Sequence, residues 1–220
     1  MLAQCDHGNA MSMDSIALLR LLHLADSALA IGGAAHSFGL ETLAEEALLA
    51  PQTLEEFLRV HLQESARLEA VYVGLAWKGR DPRTLSEELS ARKPARESRE
   101  ASVKLGRRFA ELVNGILQQP LLESDLHYCV AFGTAGAALA IPLDSVVLAY
   151  LNQSIVGLIS ACQRLMPLGQ SSANTILWNI KPAILETCSA SCSEEMACFS
   201  PCLELASMRH PLLETRLFIS

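Results

Sequence analysis

Four cysteines near the end of the chain have a spacing that could hold a metal ion. They are Cys188, Cys192, Cys198 and Cys202, and the first two and the last two are both spaced i, i+4. Residues at this spacing share one face of a helix, so two such pairs on opposing helices could supply the four thiolates of a tetrahedral zinc site. The CxxxC spacing is less diagnostic than the CxxC of structural zinc sites, and free cysteine is also a good small core residue. A metal- or thiol-dependent function is therefore one hypothesis for this cluster, and ordinary core packing is the other.

The histidines do not predict a second metal site. None of the six forms an HxxxH or HxH pattern, which would place two imidazoles side by side on one element. They are His7, His23, His36, His61, His127 and His210.

A glycine-rich loop near the start of the chain is the next candidate for chemistry. Paired glycines before a helix can bind an anion through their amides, but the GxxxxGK[ST] pattern of phosphate-binding loops is absent here. His36 and Ser37 are adjacent and would point in different directions on a helix, and no acidic partner is placed beside them, so we predict no catalytic residues. The segment is predicted to be a structural or docking loop made of Gly32, Gly33, His36, Ser37, Gly39 and Glu41.

A basic run in the middle of the chain has two interpretations. Its residues are Arg92, Lys93, Arg96, Arg99, Lys104, Arg107 and Arg108, and they are interleaved with Glu97 and Glu100. Opposite charges three and four apart on a helix form a solvated face with ion pairs, whereas an excess of positive charge could steer a partner protein. Nucleic acid is excluded as the main partner because the run lacks aromatic residues and the net charge of the chain is −7.

The elements that must position these residues are predicted to be helices. Apolar residues make up 50% of the 220 residues but aromatics only 5%, so the core is built from Leu, Ala, Val and Ile. Nearly every segment repeats at a period near 3.6 and almost none alternates at period 2. The predicted fold is all-α: a single-domain bundle of about 8–10 helices, with a flexible lead at residues 1–13, a helical domain at 14–202 and a loosely attached tail at 203–220.

Helix ends are predicted from capping signals and prolines. Thr53 with Glu56, and Thr84 with Glu87, have the spacing of capping boxes for helices that end near Lys78 and Pro94. Long helices are predicted over 95–119 and 142–166, with small residues at 131–140 that allow close packing. One further helix is predicted to start at Ser171 or Ser172 and to reach about residue 190.

The most apolar stretch, residues 129–162, is not predicted to span a membrane. Pro142 and Asp144 divide it, which favours two buried helices. The first residues lack the basic start and apolar run of a signal peptide, and seven cysteines, an odd number, suit a compartment where thiols stay reduced. A cytoplasmic location is therefore expected.

Two blocks of sequence resemble the signature regions of the UreF family, accessory proteins that mature urease. The first is LHLADS at 22–27 with IGGAAHSFGLE at 31–41, and the second is LASMRH at 205–210 with TRLFIS at 215–220. Between them, ARESREAS at 95–102 resembles the charged middle helix of the family, and PLGQ at 167–170 resembles its late turn. The chain departs from the family at Ala30, Ala34 and Ile219, where a proline, an aromatic and a basic residue are usual.

The resemblance implies an all-helical, commonly dimeric protein that catalyses no reaction. Such proteins bridge a UreD/UreH-type protein and the GTPase UreG, and the assembly delivers nickel to apo-urease. No cofactor is implied to be bound permanently, because nickel is handled in transit. A direct effect on GTP hydrolysis by UreG is an alternative, with Arg96, Arg99 and Arg107 as candidate arginine fingers.

The tail is expected to bind a partner on physical grounds as well. Residues 203–220 are too apolar to stay idle in water and too broken by proline to form a regular core helix. The alternative is a segment that packs back on its own bundle. The predicted partner-binding residues are Ser207, Met208, Arg209, His210, Arg216, Leu217 and Phe218.

Overall fold

The computed structural model describes residues 14–193 and 200–219, and within these ranges the fold is all-α, as predicted. The helices are α1 (Ser15–Leu24), α2 (Leu40–Glu45), α3 (Leu54–His61), α4 (Arg67–Trp77), α5 (Pro82–Arg92), α6 (Arg96–Leu117), α7 (Tyr128–Ala138), α8 (Leu143–Leu165), α9 (Gln170–Asn179), α10 (Lys181–Ser191) and α11 (Pro201–Arg209). Short 3-10 turns occupy Gly33–Ala35 and His210–Leu212. A π-helical segment, Leu62–Ala66, joins α3 to α4 without a break, so the described chain forms ten separate helices.

The centre of the bundle depends on the small residues predicted for α7. This helix packs chiefly against α4, and also against α6 and α8. A Cβ atom at Gly133 would collide with the backbone carbonyl of Val73 on α4, and one at Gly136 would meet the side chain of Val146 on α8 at 2.6 Å. Larger residues at these two positions would force the helices apart, because a close-packed interior has no free volume to absorb them.

The two long helices were predicted correctly, but both capping boxes were wrong. Thr53 occupies the N-cap position of α3, as predicted, but its side chain makes no capping hydrogen bond, because the hydroxyl bonds to the amide and carbonyl of Ala50. α5 begins at Pro82, earlier in the sequence than the predicted cap Thr84. Asp81 is therefore the cap and accepts the amide of Thr84 at 2.8 Å.

The helix predicted from residue 171 to 190 is two helices. α9 ends at Asn179 and α10 begins at Lys181. The break lies next to Pro182, which lacks an amide proton and cannot continue the hydrogen bonding of the preceding helix.

Helix α8 is the one helix of the described ranges that is long and apolar enough, by length and composition, to cross a membrane. Half of its most apolar window is buried inside the protein, where it packs against α4, α7 and α10. These are the contacts of a core helix, in line with the prediction of two buried helices at 129–162.

The tail is held more tightly than the predicted loose attachment. α11 packs against α2 and α6, and the side chains of Ser207, His210 and Phe218 are buried. The tail is attached because each of these three side chains contacts a residue of the bundle: Ser98, Glu41 and Arg164 respectively. The predicted flexible lead at residues 1–13 lies outside the described residues.

Candidate functional site

The two signature blocks of the sequence meet in space at the carboxylate of Glu41. Its Oε1 accepts the backbone amide of Leu217 at 2.5 Å, and its Oε2 accepts the amide of Phe218 at 3.2 Å. Nε2 of His210 lies 2.8 Å from the same Oε2. Glu41 is only 5% exposed. One buried side chain of α2 therefore holds three groups of the tail.

Gly39 permits this meeting. It precedes α2 with φ of 91°, a left-handed conformation that favours glycine. A Cβ atom there would stand 3.0 Å from the carbonyl oxygen of Leu203 and 2.9 Å from the hydroxyl of Ser207. Ser98 on α6 donates to that hydroxyl at 2.9 Å. α11 can therefore approach both α2 and α6 closely.

His210 lies between two carboxylates. Besides Glu41, its Nδ1 lies 3.1 Å from Oε2 of Glu97, and the imidazole is fully buried. The imidazole therefore bridges a carboxylate of α2 and a carboxylate of α6, and it ties the end of α11 to both helices.

The end of the tail is fixed to the loop that contains the paired glycines. The amide of Ile219 donates to the carbonyl of Ala35 at 2.8 Å. The guanidinium of Arg164, at the end of α8, lies 4.2 Å from the centre of the Phe218 ring and donates to the carbonyl of Ala34 at 2.6 Å. This cation–π contact and the hydrogen bonds place Phe218 inside and its two neighbours outside.

The predicted partner-binding residues divide into two groups. Ser207, His210 and Phe218 are buried and attach the tail, as the alternative of a tail packed on its own bundle required. The others face outward, and Leu217 is 64% exposed. These outward residues are Met208, Arg209, Arg216 and Leu217, with Arg209 paired to Glu46 at 2.7 Å.

The predicted docking loop lies mostly beneath the surface. His36 and Ser37 are buried, as is Glu41. Burial, with the nearby charges of Lys104 and Arg108, lowers the pKa of His36 to about 4, so the imidazole is neutral at pH 7. Gly32 has φ of 82° and Gly33 opens the 3-10 turn. These residues support the tail from below.

A cavity of about 240 Å³ lies beside the tail. Near the tail its lining includes His36, Arg164 and Ser207. From there the cavity reaches inward between the joined α3–α4 helix and α8. His61, Ser65 and Glu69 line one wall, at and around the π-helical segment. π-helical turns are frequent at functional sites because they re-aim side chains within a helix.

The inner end of the cavity contains a buried polar network. Nζ of Lys93 lies 2.7 Å from Oε1 of Glu69, and the hydroxyl of Tyr150 donates to Oε2 at 2.8 Å. Gln153 donates to the hydroxyl of Tyr128 at 2.7 Å. Burial alone would raise the pKa of Glu69, but the charge and hydrogen bond of Lys93 outweigh it and the net pKa is lowered. Burial would lower the pKa of Lys93, and Glu69 reverses this, so the net pKa is raised.

This network was not predicted from the sequence. Lys93 was assigned to an exposed basic run, whereas its side chain is only 12% exposed. The remaining signal was weak: Glu69 and Tyr150 are polar residues within strongly apolar helical stretches. Such residues are buried only when they are paired, so each one predicts a partner without identifying it.

Elsewhere, the basic run behaves as a solvated face. Arg96 pairs with Glu100 at 2.7 Å and Arg107 with Asp125 at 2.6 Å. The third candidate arginine finger, Arg99, donates to the carbonyl of Lys93 at 2.7 Å. Nothing in these contacts singles out one of the three arginines.

The late cysteines that the structure describes differ in burial. Cys188 is buried, and burial raises the pKa of its thiol to about 11, while Cys192 and Cys202 are exposed. Cys198 lies outside the described residues. No group of three or more His, Cys, Asp or Glu that could hold a metal ion occurs in the ranges 14–193 and 200–219. A zinc site that includes Cys198 stays a prediction.

Comparison with known proteins gives a consistent result. The model of the family described as UreF matches residues 48–181. A protein of Nostoc sp. (strain PCC 7120 / SAG 25.82 / UTEX 2576) named "Urease accessory protein UreF" is 35% identical over 218 residues, which cover 92% of this chain and 95% of the relative. Relatives of the same name from Trichormus variabilis (34% over 234 residues; 94% and 100% covered) and Paenarthrobacter aurescens (30% over 217 residues; 92% and 97% covered) are also similar.

Proposed function

The chain belongs to the UreF family of urease accessory proteins, and from this premise we propose that it is a scaffold for nickel insertion into urease. Its relatives are named as accessory proteins, so it is not an enzyme. In the proposed role it acts as a homodimer in the cytoplasm. It bridges a UreD/UreH-type protein and the GTPase UreG, and the assembly delivers nickel to apo-urease.

The arrangement of the tail is the observation that carries this proposal. Buried anchors attach the tail to the bundle, and large apolar side chains beside them stay in water: Leu217 is 64% exposed, Ile219 61% and Leu212 80%. Clusters of exposed apolar groups mark sites of protein association, and the tail carries three large exposed apolar side chains within eight residues. A tail that is already attached to the bundle and has an apolar outer face suits the binding of a UreD/UreH-type partner, because little ordering entropy is lost on binding.

The cavity supports a protected route for nickel as cargo. Its lining is more apolar than polar and includes Lys93 and Arg164, but it also has carboxylate, imidazole, hydroxyl and amide groups, which can replace the water molecules around a divalent cation one at a time. The Glu69–Lys93 pair keeps its inner end close to electrical neutrality. Such a lining suits brief contacts with a moving ion better than permanent coordination.

No contact among the described residues specifically favours either alternative, a direct effect on GTP hydrolysis or a thiol-dependent function. The arginine candidates for GTP hydrolysis are already engaged in ion pairs or hydrogen bonds. A thiol-based activity of the late cysteines needs a thiolate, and burial raises the pKa of Cys188 to about 11.

The test is co-purification with the UreD/UreH-type protein of the same source, measured by size-exclusion chromatography with light scattering. We expect a stable complex of about two copies of each protein. Leu217→Glu should abolish the complex, because a charge replaces an exposed apolar group of the tail. The matched control is Leu185→Glu, an equally apolar and 57% exposed position on α10, which should leave the complex intact. Two folded proteins that do not associate would refute the proposal.

A further inference from the structure

We propose that Glu41 is a positioning residue for partner binding: its carboxylate selects the conformation in which the tail is presented. This inference rests on the proposed function, because the partner is the UreD/UreH-type protein. Glu41 does not face that partner, since it is buried under the tail. Its effect would be indirect, through the register of residues 217–219.

The geometry of the contact is that of a register clamp. The two oxygens of Glu41 accept the amides of two consecutive residues, Leu217 through Oε1 and Phe218 through Oε2. Residues 217 and 218 form a bend, and fixing the amides of both also fixes which of the neighbouring side chains points inward. In the clamped register Phe218 is 4% exposed, while Leu217 and Ile219 are 64% and 61% exposed. A shift by one residue would bury Leu217 or Ile219 and expose the aromatic ring.

Burial makes the clamp strong. A carboxylate taken out of water must be satisfied by hydrogen bonds, and an ionised acceptor forms stronger bonds than a neutral one. Glu41 accepts two backbone amides, and Nε2 of His210 lies 2.8 Å from the oxygen that accepts the second. A glutamine side chain has one carbonyl oxygen and one amide group, so it cannot accept from the donors on both sides. Glu41→Gln preserves the shape of the side chain but breaks the clamp on one side.

The clamp converts directly into affinity. A partner that binds only the clamped register has an apparent dissociation constant equal to the intrinsic one divided by the population of that register. Loss of the clamp lowers this population in the free protein. The association rate should fall in proportion, while the dissociation rate should change little because the bound partner itself holds the register.

The experiment compares Glu41→Gln with Glu45→Gln, an exposed glutamate of the same helix. Hydrogen exchange of the Leu217 and Phe218 amides is measured by NMR in the isolated chain, and partner binding by surface plasmon resonance. For Glu41→Gln we expect exchange at the two amides to accelerate by roughly tenfold or more. We expect the association rate to fall by about the same factor, with the dissociation rate within about twofold of wild type. The control should match wild type in both measurements.

Three outcomes separate the inference from the proposed function. Unchanged exchange at Leu217 and Phe218 in Glu41→Gln overturns the clamp. Faster exchange with an unchanged association rate overturns its role in presentation. A wild-type chain that does not bind the partner at all refutes the proposed function, and the exchange measurement still decides whether Glu41 holds the tail. Should Glu41→Gln fail to fold, Glu41→Asp keeps the charge but shortens the side chain by one methylene, and the same loss of amide protection is expected.

Discussion

Replacing Lys93 by methionine removes one half of the ion pair at the inner end of the cavity. The remaining carboxylate of Glu69 keeps the hydroxyl of Tyr150 at 2.8 Å but loses the ammonium at 2.7 Å. The two charged side chains are 12% and 18% exposed, so solvent screens the pair only weakly. Methionine has a similar volume, and the variant therefore tests the charge with little change in packing.

The expected cost follows from the burial of the pair. Removing one partner of a buried ion pair destabilises a protein by about 3–5 kcal/mol, because the other charge is left uncompensated. For a chain of this size that corresponds to a fall in Tm of roughly 6–20 °C. Glu69→Gln in the Lys93→Met background should recover most of the loss, since the uncompensated charge is then gone as well.

The pH dependence of the stability loss in Lys93→Met is a second, independent test of the ion pair. In the wild type the pKa of Glu69 is below its ordinary value of 4.5, so its contribution to stability is present above that pH and is lost as the pH falls. In Lys93→Met burial is no longer opposed by the ammonium, so we expect the pKa to rise above 4.5. A raised pKa stabilises at low pH and loses that contribution as the pH increases. The difference between variant and wild type should therefore shrink as the pH is lowered from 7 towards 5.

Urea unfolding of the wild type, both single variants and the double variant measures these free energies. The double-mutant cycle separates the pair from the individual side chains. A loss below about 1 kcal/mol for Lys93→Met, with no coupling to Glu69, is the behaviour of an exposed pair and would refute the reasoning.

Three further predictions follow from packing, thiol burial and histidine burial. Gly133→Ala should lower the free energy of unfolding by about 1–3 kcal/mol or more, because the added Cβ meets the backbone of α4. The control Gly115→Ala, where a Cβ would meet nothing within 4 Å, should be neutral or stabilising by up to about 1 kcal/mol. Thermal unfolding of the two variants measures the difference. A maleimide should label Cys192 in the native protein well before Cys162, whose thiol is buried, and mass spectrometry of early digests would contradict this if Cys162 reacted first. Stability should fall as the pH drops from about 6.5 to about 4, because the unfolded chain takes up protons on three imidazoles whose pKa values burial lowers to about 4 in the folded state. These are His36, His61 and His127, and His61→Gln should weaken the pH dependence measured by urea titration.

Helices with strong and redundant signals could be predicted from the sequence. α6 has a charged face and a proline just beyond its end, and α8 begins directly after Pro142, so both were placed to within a few residues. Helix starts that depend on one hydrogen bond could not be predicted as well. Asp81 shows why, because several nearby side chains can form a cap and the surrounding turn selects among them.

The candidate site was predicted only in part. Its residues could be identified within each block, but contacts between residues far apart in the sequence could not. Both halves of the tail clamp were recognised as separate blocks, but the contact between Glu41 and His210 joins residues 169 positions apart. Local periodicity shows which face of a helix is apolar and says nothing about which distant face it will meet. The same limit applies to Lys93, whose neighbours Arg92 and Pro94 are both exposed.

From the sequence alone one can predict the all-helical fold, the small-residue interface of α7, the family resemblance, and the two blocks that meet at Glu41. Tertiary structure alone decided that the tail is mounted on the bundle with Phe218 inside and Leu217 outside. It also decided that Glu69 and Lys93 form a buried pair beside a cavity. Helix formation depends on propensity and on neighbours within about four residues, whereas a buried charge is tolerated only where packing brings it a partner from elsewhere in the chain.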